Sequence, residues 1–352
     1  MITESKLSLY SMLFIALPLA ASCDLKGFDI QPDKRDTTID TTVVRIIPFD
    51  ENHTTTYDTK VPTLLNRQHW TCDTLDNGCV WYNFTAFDDV SNAAQTVNVL
   101  EVDMTSKRYK LDFAYKVNAD SLSSFVDARQ QAGLNVMGGV NANYELDATY
   151  IRIGGSNMSE VTVPASHLRA WKHEGAILGY ADGEVKIRLS SRTNPAQATA
   201  NYKYSKAVNI ISSAPSLIED YKNIGSSFVD MNRLSTGLNT LDYEDKDRHQ
   251  GVRHPRTAVA LTGDGDLLLI TVDGRWAGKA EGMTADELTR FIIKYFNPRY
   301  ALNMDGGGST TMCVRGRGDS RTHVVNYPTD NRKYNHYGQR LREAHLIIEK
   351  VR

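Results

Sequence analysis

The residues best suited to chemistry form one short segment, Asn303–Thr311 (NMDGGGSTT). Three consecutive glycines cost chain entropy, so a loop that has all three indicates unusual backbone angles or the close approach of a ligand. Successive unhindered N–H groups can form a concave anion site, and neighbouring hydroxyl groups add donors. Asp305 could act there as an acid, a base or a nucleophile. The groups that could face the anion are those of Gly306, Gly307, Gly308, Ser309 and Thr310. A flexible turn is the alternative interpretation.

Three further groups lie outside this segment. Arg256 follows His254 and Pro255, and a guanidinium has the fork geometry that holds a phosphate through two hydrogen bonds. A surface salt bridge is the alternative for this arginine. Asp273 opens an Asp-Gly-Arg sequence that by itself predicts only a turn, and Asn141 stands at the end of a predicted strand.

The first half of the chain predicts short strands and one helix. Val97–Met104 and Tyr109–Tyr115 are rich in β-branched or aromatic residues and flank a polar turn, so we expect a hairpin. Ala119–Ala132 predicts a helix that ends at Gly133. Leu134–Val140 is the next predicted strand.

The second half predicts the elements that would position Asp305. Thr257–Leu261 and Leu267–Val272 flank a Gly-Asp-Gly-Asp turn and predict a hairpin. A capping box at Thr284 begins a helix, and the strand Tyr300–Met304 then leads into Asp305. Many short strands with few helices predict an α+β fold, with a large mixed, mainly antiparallel sheet and a few flanking helices.

The first 22 residues predict a lipoprotein signal peptide. The almost wholly apolar run Leu7–Ala21 is shorter than the roughly 20 residues that a membrane span needs. Small residues lead directly into Cys23, as in the bacterial lipobox at which the cysteine is lipidated. We therefore expect an exported lipoprotein, anchored to a membrane of the bacterial cell envelope on the periplasmic side or at the cell surface. An ordinary cleaved secretory signal is the alternative.

Composition narrows the class of partner. The 352 residues carry a formal net charge of −2, so no broad basic surface indicates a nucleic acid. We expect residues 23–65 to form a tether and N-terminal extension, and residues 66–352 to form the catalytic domain. With Cys23 lipidated, Cys72 and Cys79 could close a small disulfide loop, and Cys313 would be a buried thiol.

Taken in series, the motifs resemble the phosphodiester glycosidase family. The matching stretches, in chain order, are Asn141–Tyr144 (NANY), Pro255–Ala258 (PRTA), Asp273–Arg275 (DGR), Ala301–Thr311 (ALNMDGGGSTT) and Gly338–Arg340 (GQR). Their order and rough spacing agree with the family over about Val97–Ile348. The resemblance implies hydrolysis of a sugar-1-phosphodiester, such as a GlcNAc-1-phosphodiester glycan, so the expected partner is a phosphorylated glycan.

The resemblance also implies roles for individual residues. Asp305 would be the general base or nucleophile, with Asp273 as a second carboxylate, because glycosidic cleavage usually calls for two. Asn303 and Asn141 would orient Asp305 or contact sugar hydroxyls. The phosphodiester would be held by Arg256, the amides of Gly306–Gly308 and Ser309, with His254 and Arg340 as secondary candidates. Whether the C–O or the P–O bond breaks stays open.

Two other functions also stay open. A metal-dependent phosphodiesterase would use acids such as Asp264, Asp266 or those at 242–245, although their spacing matches neither a Ca²⁺ loop nor a His-rich metal site. A non-catalytic glycan-binding lipoprotein would stack sugars on tryptophan side chains. No cofactor or metal site is predicted, and the use of a divalent cation stays open.

Overall fold

The structure is a computed structural model that describes residues 69–192, 194–225 and 237–351. The predicted signal peptide, Cys23 and the tether at 23–65 lie outside these ranges. The helices within them are α1 (Leu122–Gln131), α2 (Pro195–Tyr204), α3 (Lys246–Gly251) and α4 (Ala285–Phe296). The strands are β1 (Trp70–Asp76), β2 (Cys79–Asp88), β3 (Ala93–Asp103), β4 (Tyr109–Asp120), β5 (Asn135–Asn141), β6 (Ile151–Ile153), β7 (Ser156–Ser159), β8 (Gly175–Gly179), β9 (Val185–Leu189), β10 (Asn209–Ser213), β11 (Ser216–Glu219), β12 (Lys222–Asn223), β13 (Arg256–Leu261), β14 (Asp266–Val272), β15 (Tyr300–Met304), β16 (Met312–Val314) and β17 (Arg342–Lys350).

These strands form three sheets, and every strand pair among the described residues is antiparallel. The eight-stranded sheet has the order β1-β2-β3-β14-β13-β15-β11-β12. The five-stranded sheet has the order β7-β6-β10-β8-β9, and the four-stranded sheet the order β16-β5-β17-β4. The α+β class and the mainly antiparallel pairing are confirmed, with the strands divided among three sheets.

The main core lies between the eight-stranded sheet and the two smaller sheets. One face of β3, β13, β14 and β15 packs against apolar side chains of both smaller sheets. Representative members are Leu100, Leu269 and Leu302 from the large sheet, with Leu346 and Ile177 from the smaller ones. Each is fully buried, so each contributes on the order of 2 kcal/mol of transfer free energy.

A helix covers the outer face of each sheet. α4 packs on the eight-stranded sheet, α1 on the four-stranded sheet and α2 on the five-stranded sheet. The capping box that begins α4 is present, because Thr284 Oγ1 accepts from the Glu287 amide at 3.1 Å and the Glu287 carboxylate accepts from the Thr284 amide at 2.9 Å. Phe291 and Ile292 lie on the face of this helix that packs on the sheet, and both are fully buried.

The predicted hairpin between Val97–Met104 and Tyr109–Tyr115 is wrong, although both segments are strands. β3 pairs with β2 and β14 in the eight-stranded sheet, whereas β4 pairs with β17 in the four-stranded sheet. Leu100 on β3 and Phe113 on β4 meet in the main core from opposite sides. The polar connection therefore carries the chain from one layer to the next.

The predicted Cys72–Cys79 disulfide is also wrong, because both side chains are free thiols. In the β1–β2 ladder Cys72 lies opposite Tyr82, while Cys79 lies opposite Asp76. Cys72 is exposed and Cys79 is fully buried in the core, so the two thiols do not face each other. Cys313 is buried, as predicted.

Across the described ranges, no helix combines the length and the apolar character that crossing a membrane requires.

Candidate active site

Three neighbouring strands bring most of the predicted site residues to one edge of the eight-stranded sheet. β13 begins at Arg256, β14 ends at Val272 and β15 ends at Met304. Because β13 is antiparallel to both neighbours, Arg256 lies opposite Val272 and Thr257 lies opposite Met304. The side chains that follow these strand ends, Asp273 and Asp305, therefore lie at the same edge.

Asn141 fastens the two ends of the triglycine segment to each other. Its Nδ2 donates to the Asp305 carbonyl at 2.7 Å, and its Oδ1 accepts from the Thr311 amide at 3.0 Å. The same oxygen accepts from Thr257 Oγ1 at 2.8 Å. With 1% of its surface exposed, Asn141 positions the backbone that carries Asp305. Its predicted contact with sugar hydroxyls stays a prediction.

Close packing explains two of the three glycines. A Cβ on Gly306 would lie 2.7 Å from the Pro255 carbonyl oxygen, which is backbone and has little freedom to move. A Cβ on Gly308 would collide with the Arg340 guanidinium and would lie 2.8 Å from Asp330 Oδ1. Alanine is therefore excluded at Gly306, where the neighbour is backbone, whereas at Gly308 the neighbours are the ends of two partly exposed side chains that can move.

The central glycine makes the turn. Gly307 has a φ of +61°, which L-residues rarely adopt, and its amide donates to the Pro255 carbonyl at 2.8 Å. The amides of Ser309 and Thr310 donate within the turn, to the Gly306 and Gly307 carbonyls at 3.2 and 3.3 Å. These three N–H groups therefore hold the turn, and anion binding by the remaining glycine amides stays a prediction.

Asp305 forms a buried ion pair with Arg342. The Arg342 Nη2 lies 2.7 Å from Asp305 Oδ2, and the Arg342 Nε donates to Ser309 Oγ at 2.9 Å. The side chain of Asp305 is 7% exposed and that of Arg342 12%. Burial raises the pKa of Asp305, while the charge of Arg342 and a hydrogen bond from Ser309 partly oppose this rise. The negative charge of Glu145 raises it further, and the charge of Lys172 lowers it.

Arg340 was predicted from the sequence as a site residue, and Arg342 was not. A signal for Arg342 was present, because the apolar run at 344–348 predicts a terminal strand and a cation stands at its start. In the structure this strand, β17, pairs with β5 so that His345 lies opposite Asn141.

Arg256 lies in the interior and contacts backbone carbonyl groups. Its Nε donates to the Met283 carbonyl at 2.9 Å, and its Nη2 donates to the carbonyls of His249 at 2.7 Å and Val252 at 3.1 Å. The residue is 1% exposed, so it is not the surface salt bridge considered as an alternative. Burial lowers its pKa to about 10. Phosphate binding by Arg256 stays a prediction, and its contacts give it a role in holding the 249–256 backbone.

Asp273 supports the far end of the triglycine segment. Its Oδ1 accepts from Asn326 Nδ2 and from the Tyr327 amide, both at 3.0 Å. Asn326 Nδ2 also donates to the Thr310 carbonyl at 3.0 Å. Burial raises the pKa of Asp273 to about 7. Its role as the second catalytic carboxylate stays a prediction.

Two guanidinium groups at the surface pack against the triglycine turn. Arg275 Nη2 would lie 3.2 Å from a Cβ on Gly307, and it donates to the Tyr243 hydroxyl at 3.0 Å. Arg275 is exposed, and its φ of +66° is unusual for a non-glycine residue. Arg340, whose side chain is 41% exposed, lies against Gly308. The turn is therefore flanked by two cations that solvent can reach.

Asn303 is buried behind Asp305. Its Nδ2 donates to the Tyr144 hydroxyl and to the Ala214 carbonyl, both at 3.0 Å. The Tyr144 hydroxyl also donates to the Ala214 carbonyl at 3.0 Å. Asn303 is 0% exposed, so these contacts tie β15 to the segment that follows β5. A direct sugar contact of Asn303 stays a prediction.

Lys172 and Glu145 are two further site residues that the sequence analysis missed. Lys172 Nζ lies 2.8 Å from Glu145 Oε2 and 2.5 Å from Glu244 Oε2. The ammonium also lies 4.8 Å from the centre of the Tyr144 ring. Burial alone would raise the pKa of Glu145, but the charge and the hydrogen bond of Lys172 outweigh burial and lower it.

A cluster of aromatic rings extends from Tyr144 toward the surface. The Trp171 ring lies 5.9 Å from that of Tyr144 and 4.9 Å from that of His249. The His254 ring lies 5.8 Å from His249 and 5.9 Å from Tyr243, which is 43% exposed. Burial lowers the pKa of His254 to about 3, and the charge of the nearby arginines lowers it further, so this imidazole is neutral at physiological pH. Aromatic faces beside neutral imidazole nitrogens suit an uncharged sugar ring.

Of the acids considered for a metal-dependent enzyme, Glu244 pairs with Lys172 beside the site, whereas Asp266 lies far from Asp305. Asp266 begins β14, at the opposite edge of the sheet from Asp273. In the part of the chain that the structure describes, no group of three or more His, Cys, Asp or Glu side chains is arranged to hold a metal ion.

The fold and site define an α+β protein with a carboxylate–guanidinium site at a sheet edge. The family described as "Phosphodiester glycosidase" matches residues 130–344, which is more than half of the chain and includes Asn141, Arg256, Asp305 and Arg342. This chain belongs to the phosphodiester glycosidase family, which is a hydrolase family.

Solved structures share the fold. The zebrafish N-acetylglucosamine-1-phosphodiester alpha-N-acetylglucosaminidase catalytic domain, auto-inhibited by its pro-peptide, aligns with a TM-score of 0.52 and 15% identity. That alignment covers 81% of this chain and 85% of the zebrafish domain. A hypothetical protein from Synechocystis aligns with a TM-score of 0.50 and 12% identity, over 80% of this chain and 64% of that one. At these identities the likeness shows the fold alone.

A curated relative matches a short stretch. The SPbeta prophage-derived uncharacterized protein YomE of Bacillus subtilis (strain 168) is 38% identical over 66 residues. The match covers 19% of this chain and 10% of that protein.

Proposed function

We propose that this chain hydrolyses a sugar-1-phosphodiester, with a GlcNAc-1-phosphodiester glycan as the reference substrate, by breaking the bond between the anomeric carbon and the phosphate oxygen. The single observation that carries the proposal is the buried Asp305–Arg342 pair beside the triglycine turn. Membership of a hydrolase family described as phosphodiester glycosidase supports the choice of bond. The zebrafish structure with the same fold is named for that bond type.

In this proposal the phosphodiester binds over Gly307 and Gly308, between Arg275 and Arg340. Both cations are exposed to solvent, although Arg340 also pairs with Asp330 at 2.6 Å, whereas Arg256 is buried and its Nε and Nη2 donate to backbone carbonyls. A phosphodiester carries one negative charge, and guanidinium groups bind phosphate oxygens through charge-assisted hydrogen bonds. Because neither cation is deeply buried, the phosphate can exchange with solvent after each turnover.

Asp305 then acts on the glycosidic oxygen. Burial raises the pKa of its carboxyl group, which keeps the proton to higher pH than an exposed aspartate would. A carboxyl group of this kind suits general acid catalysis, in which the proton passes to the departing oxygen as the bond breaks. Arg342 keeps the carboxyl group in place and offsets the charge that forms on it.

The test is turnover of a panel of sugar-1-phosphodiesters in heavy-oxygen water, with both products identified by mass spectrometry. We expect release of free sugar and a phosphomonoester, with the label in the sugar and none in the phosphate. Label in the phosphate would show P–O cleavage and overturn the proposed bond. Wild-type protein that releases no sugar from any member of the panel would overturn the function itself.

We also propose that the enzyme works outside the cytoplasm, on a membrane of the bacterial cell envelope. The support is the apolar run Leu7–Ala21 followed by Cys23. Cys23→Ala should move the mature protein from the membrane fraction to the soluble fraction, because a lipid anchor holds it there. If the variant stays with the membrane, the anchor is not a lipid on Cys23.

A further inference from the structure

We infer that Glu145 is the second carboxylate of the active site, the base that activates the attacking water. This role rests on the proposed function, and it goes to Glu145 in place of Asp273. Glu145 carries no motif of its own and follows directly on the Asn141–Tyr144 stretch.

The chain that carries Glu145 runs alongside Asp305. The Asp305 amide donates to the Ala142 carbonyl at 3.1 Å. Two residues further on, the Tyr144 hydroxyl accepts from Asn303 on the strand that leads to Asp305. The charges of Asp305 and Glu145 both act on Tyr144, and both act on Arg342. The two carboxylates therefore share one neighbourhood, with Arg342 within electrostatic range of both.

Asp273 differs from Glu145 both in its hydrogen bonds and in its exposure to solvent. One of its oxygens accepts two hydrogen bonds, from Asn326 and Tyr327, and the residue is 1% exposed. The side chain of Glu145 is 33% exposed and pairs with the Lys172 ammonium at 2.8 Å. Glu145 can therefore reach a water molecule at the surface of the site, whereas Asp273 is buried and holds the Asn326 side chain and the Tyr327 amide beneath the turn.

The surroundings of the two carboxyl groups also shift their pKa values in opposite directions. Burial raises the pKa of Asp305, whereas the pKa of Glu145 is lowered because Lys172 outweighs the effect of burial. The charge of Glu145 adds to this difference, because it contributes to the rise at Asp305. A pair whose environments separate their pKa values in this way provides an acid and a base at the same pH.

Hydrolysis then proceeds by two proton transfers and one displacement at the anomeric carbon. The Glu145 carboxylate takes a proton from water as the water oxygen bonds to the anomeric carbon. The bond from that carbon to the phosphate oxygen breaks, and Asp305 gives its proton to the departing oxygen. The products are a sugar with a free anomeric hydroxyl group and a phosphomonoester. Both carboxyl groups return to their starting states by proton exchange with solvent.

The experiment compares Glu145→Gln with Glu244→Gln. Both glutamates pair with the same Lys172 ammonium, so a loss that comes only from disturbing Lys172 should be similar in the two variants. Loss of a general base lowers the rate by about 100- to 10,000-fold, so we expect kcat of Glu145→Gln to fall by that factor with little change in KM. We expect Glu244→Gln to keep most of the wild-type kcat.

The pH profile separates a catalytic role from a structural one. In wild type we expect kcat/KM to fall at low pH as Glu145 gains a proton, and at high pH as Asp305 loses one. Glu145→Gln should lose the acidic limb, and Glu244→Gln should keep it. Equal losses of kcat in the two variants, or an unchanged acidic limb in Glu145→Gln, would overturn the role of Glu145.

Folding is checked by thermal unfolding of each variant, and Glu145→Ala gives a second test in case the glutamine variant is unstable. Added formate supplies a small carboxylate, and we expect it to restore part of the turnover of folded Glu145→Ala. Folded Glu145→Ala that does not respond to formate would refute the inference. If wild type is active and these results are negative, only the role of Glu145 is refuted. If wild type is inactive, the proposed function and this role are refuted together.

Discussion

Breaking the Asp305–Arg342 pair should show how strongly these two side chains stabilise each other in the folded protein. Arg342→Met removes the guanidinium 2.7 Å from Asp305 Oδ2 and the hydrogen bond to Ser309 Oγ. The carboxylate left behind is 7% exposed, so solvent cannot replace the lost charge. Removing one partner of a buried pair costs about 3–5 kcal/mol, and we expect Arg342→Met to lower the free energy of unfolding by that amount.

Asp305→Asn in the same background should recover part of this loss, because it removes the uncompensated charge. We expect the double variant to be more stable than the sum of the two single effects implies, with a coupling free energy of about 2 kcal/mol. The assay is urea unfolding of wild type, both single variants and the double variant at alkaline pH, where Asp305 has lost the proton that it carries in catalysis. A second cycle on Asp286 and Arg290, an ion pair of 2.9 Å on the exposed face of α4, is the control.

The control pair is 40% and 47% exposed, so its coupling should stay below about 1 kcal/mol. A coupling at Asp305–Arg342 no larger than that of the control pair would refute the picture of a buried, charge-compensated site. Additive single effects would show that the two side chains contribute independently of each other.

Two further predictions concern the residues that hold the turn. Burial raises the pKa of Asp273 from 3.8 to about 7, so its folded-state contribution is fully present below pH 3.8 and is lost as pH rises through 7. This loss is about 4 kcal/mol at 1.36 kcal/mol per pKa unit, and Asp273→Asn should flatten the pH dependence of the free energy of unfolding between about pH 4 and 7. An equally steep dependence in the variant would contradict this assignment. Asn141→Ala removes three buried hydrogen bonds and should cost about 3 kcal/mol in urea unfolding, at about 1 kcal/mol each. A cost below about 1 kcal/mol would mean that Asn141 does not hold the turn.

Local signals predicted the strands and helices next to the site. The Gly-Asp-Gly-Asp turn identified the β13–β14 hairpin, and the capping box at Thr284 identified the start of α4. The strand Tyr300–Met304 has the predicted bounds. Each of these elements is determined by residues a few positions apart, and one sequence contains all of that information.

Pairing between layers could not be predicted in this way. β3 and β4 are adjacent in sequence, and their alternation fits a hairpin as well as it fits two separate sheets. The actual pairing depends on β14 and β17, which lie more than 150 residues further along the chain and pair with β3 and β4. The Cys72–Cys79 disulfide failed for a related reason, because spacing does not reveal which face of a strand a thiol occupies.

The triglycine segment was identified because three consecutive glycines are unusual. Asp305 was identified because it precedes that segment, and Asn141 because it ends a predicted strand. Lys172 and Glu145 were missed because common charged residues carry no local signal, and Arg342 was missed although it stands at the start of a predictable terminal strand. Lys172 meets Glu145 across 27 positions and Glu244 across 72, and only the fold brings these groups together.

The central claim is that Asp305 performs the chemistry at a site that binds a sugar-1-phosphodiester. It is tested most directly by measuring binding and turnover of one such ligand with Asp305→Asn. We predict that the variant binds the ligand with nearly the wild-type Kd, because Arg275 and Arg340 remain, and that its turnover falls to background. Turnover close to wild type in the folded variant would contradict the claim.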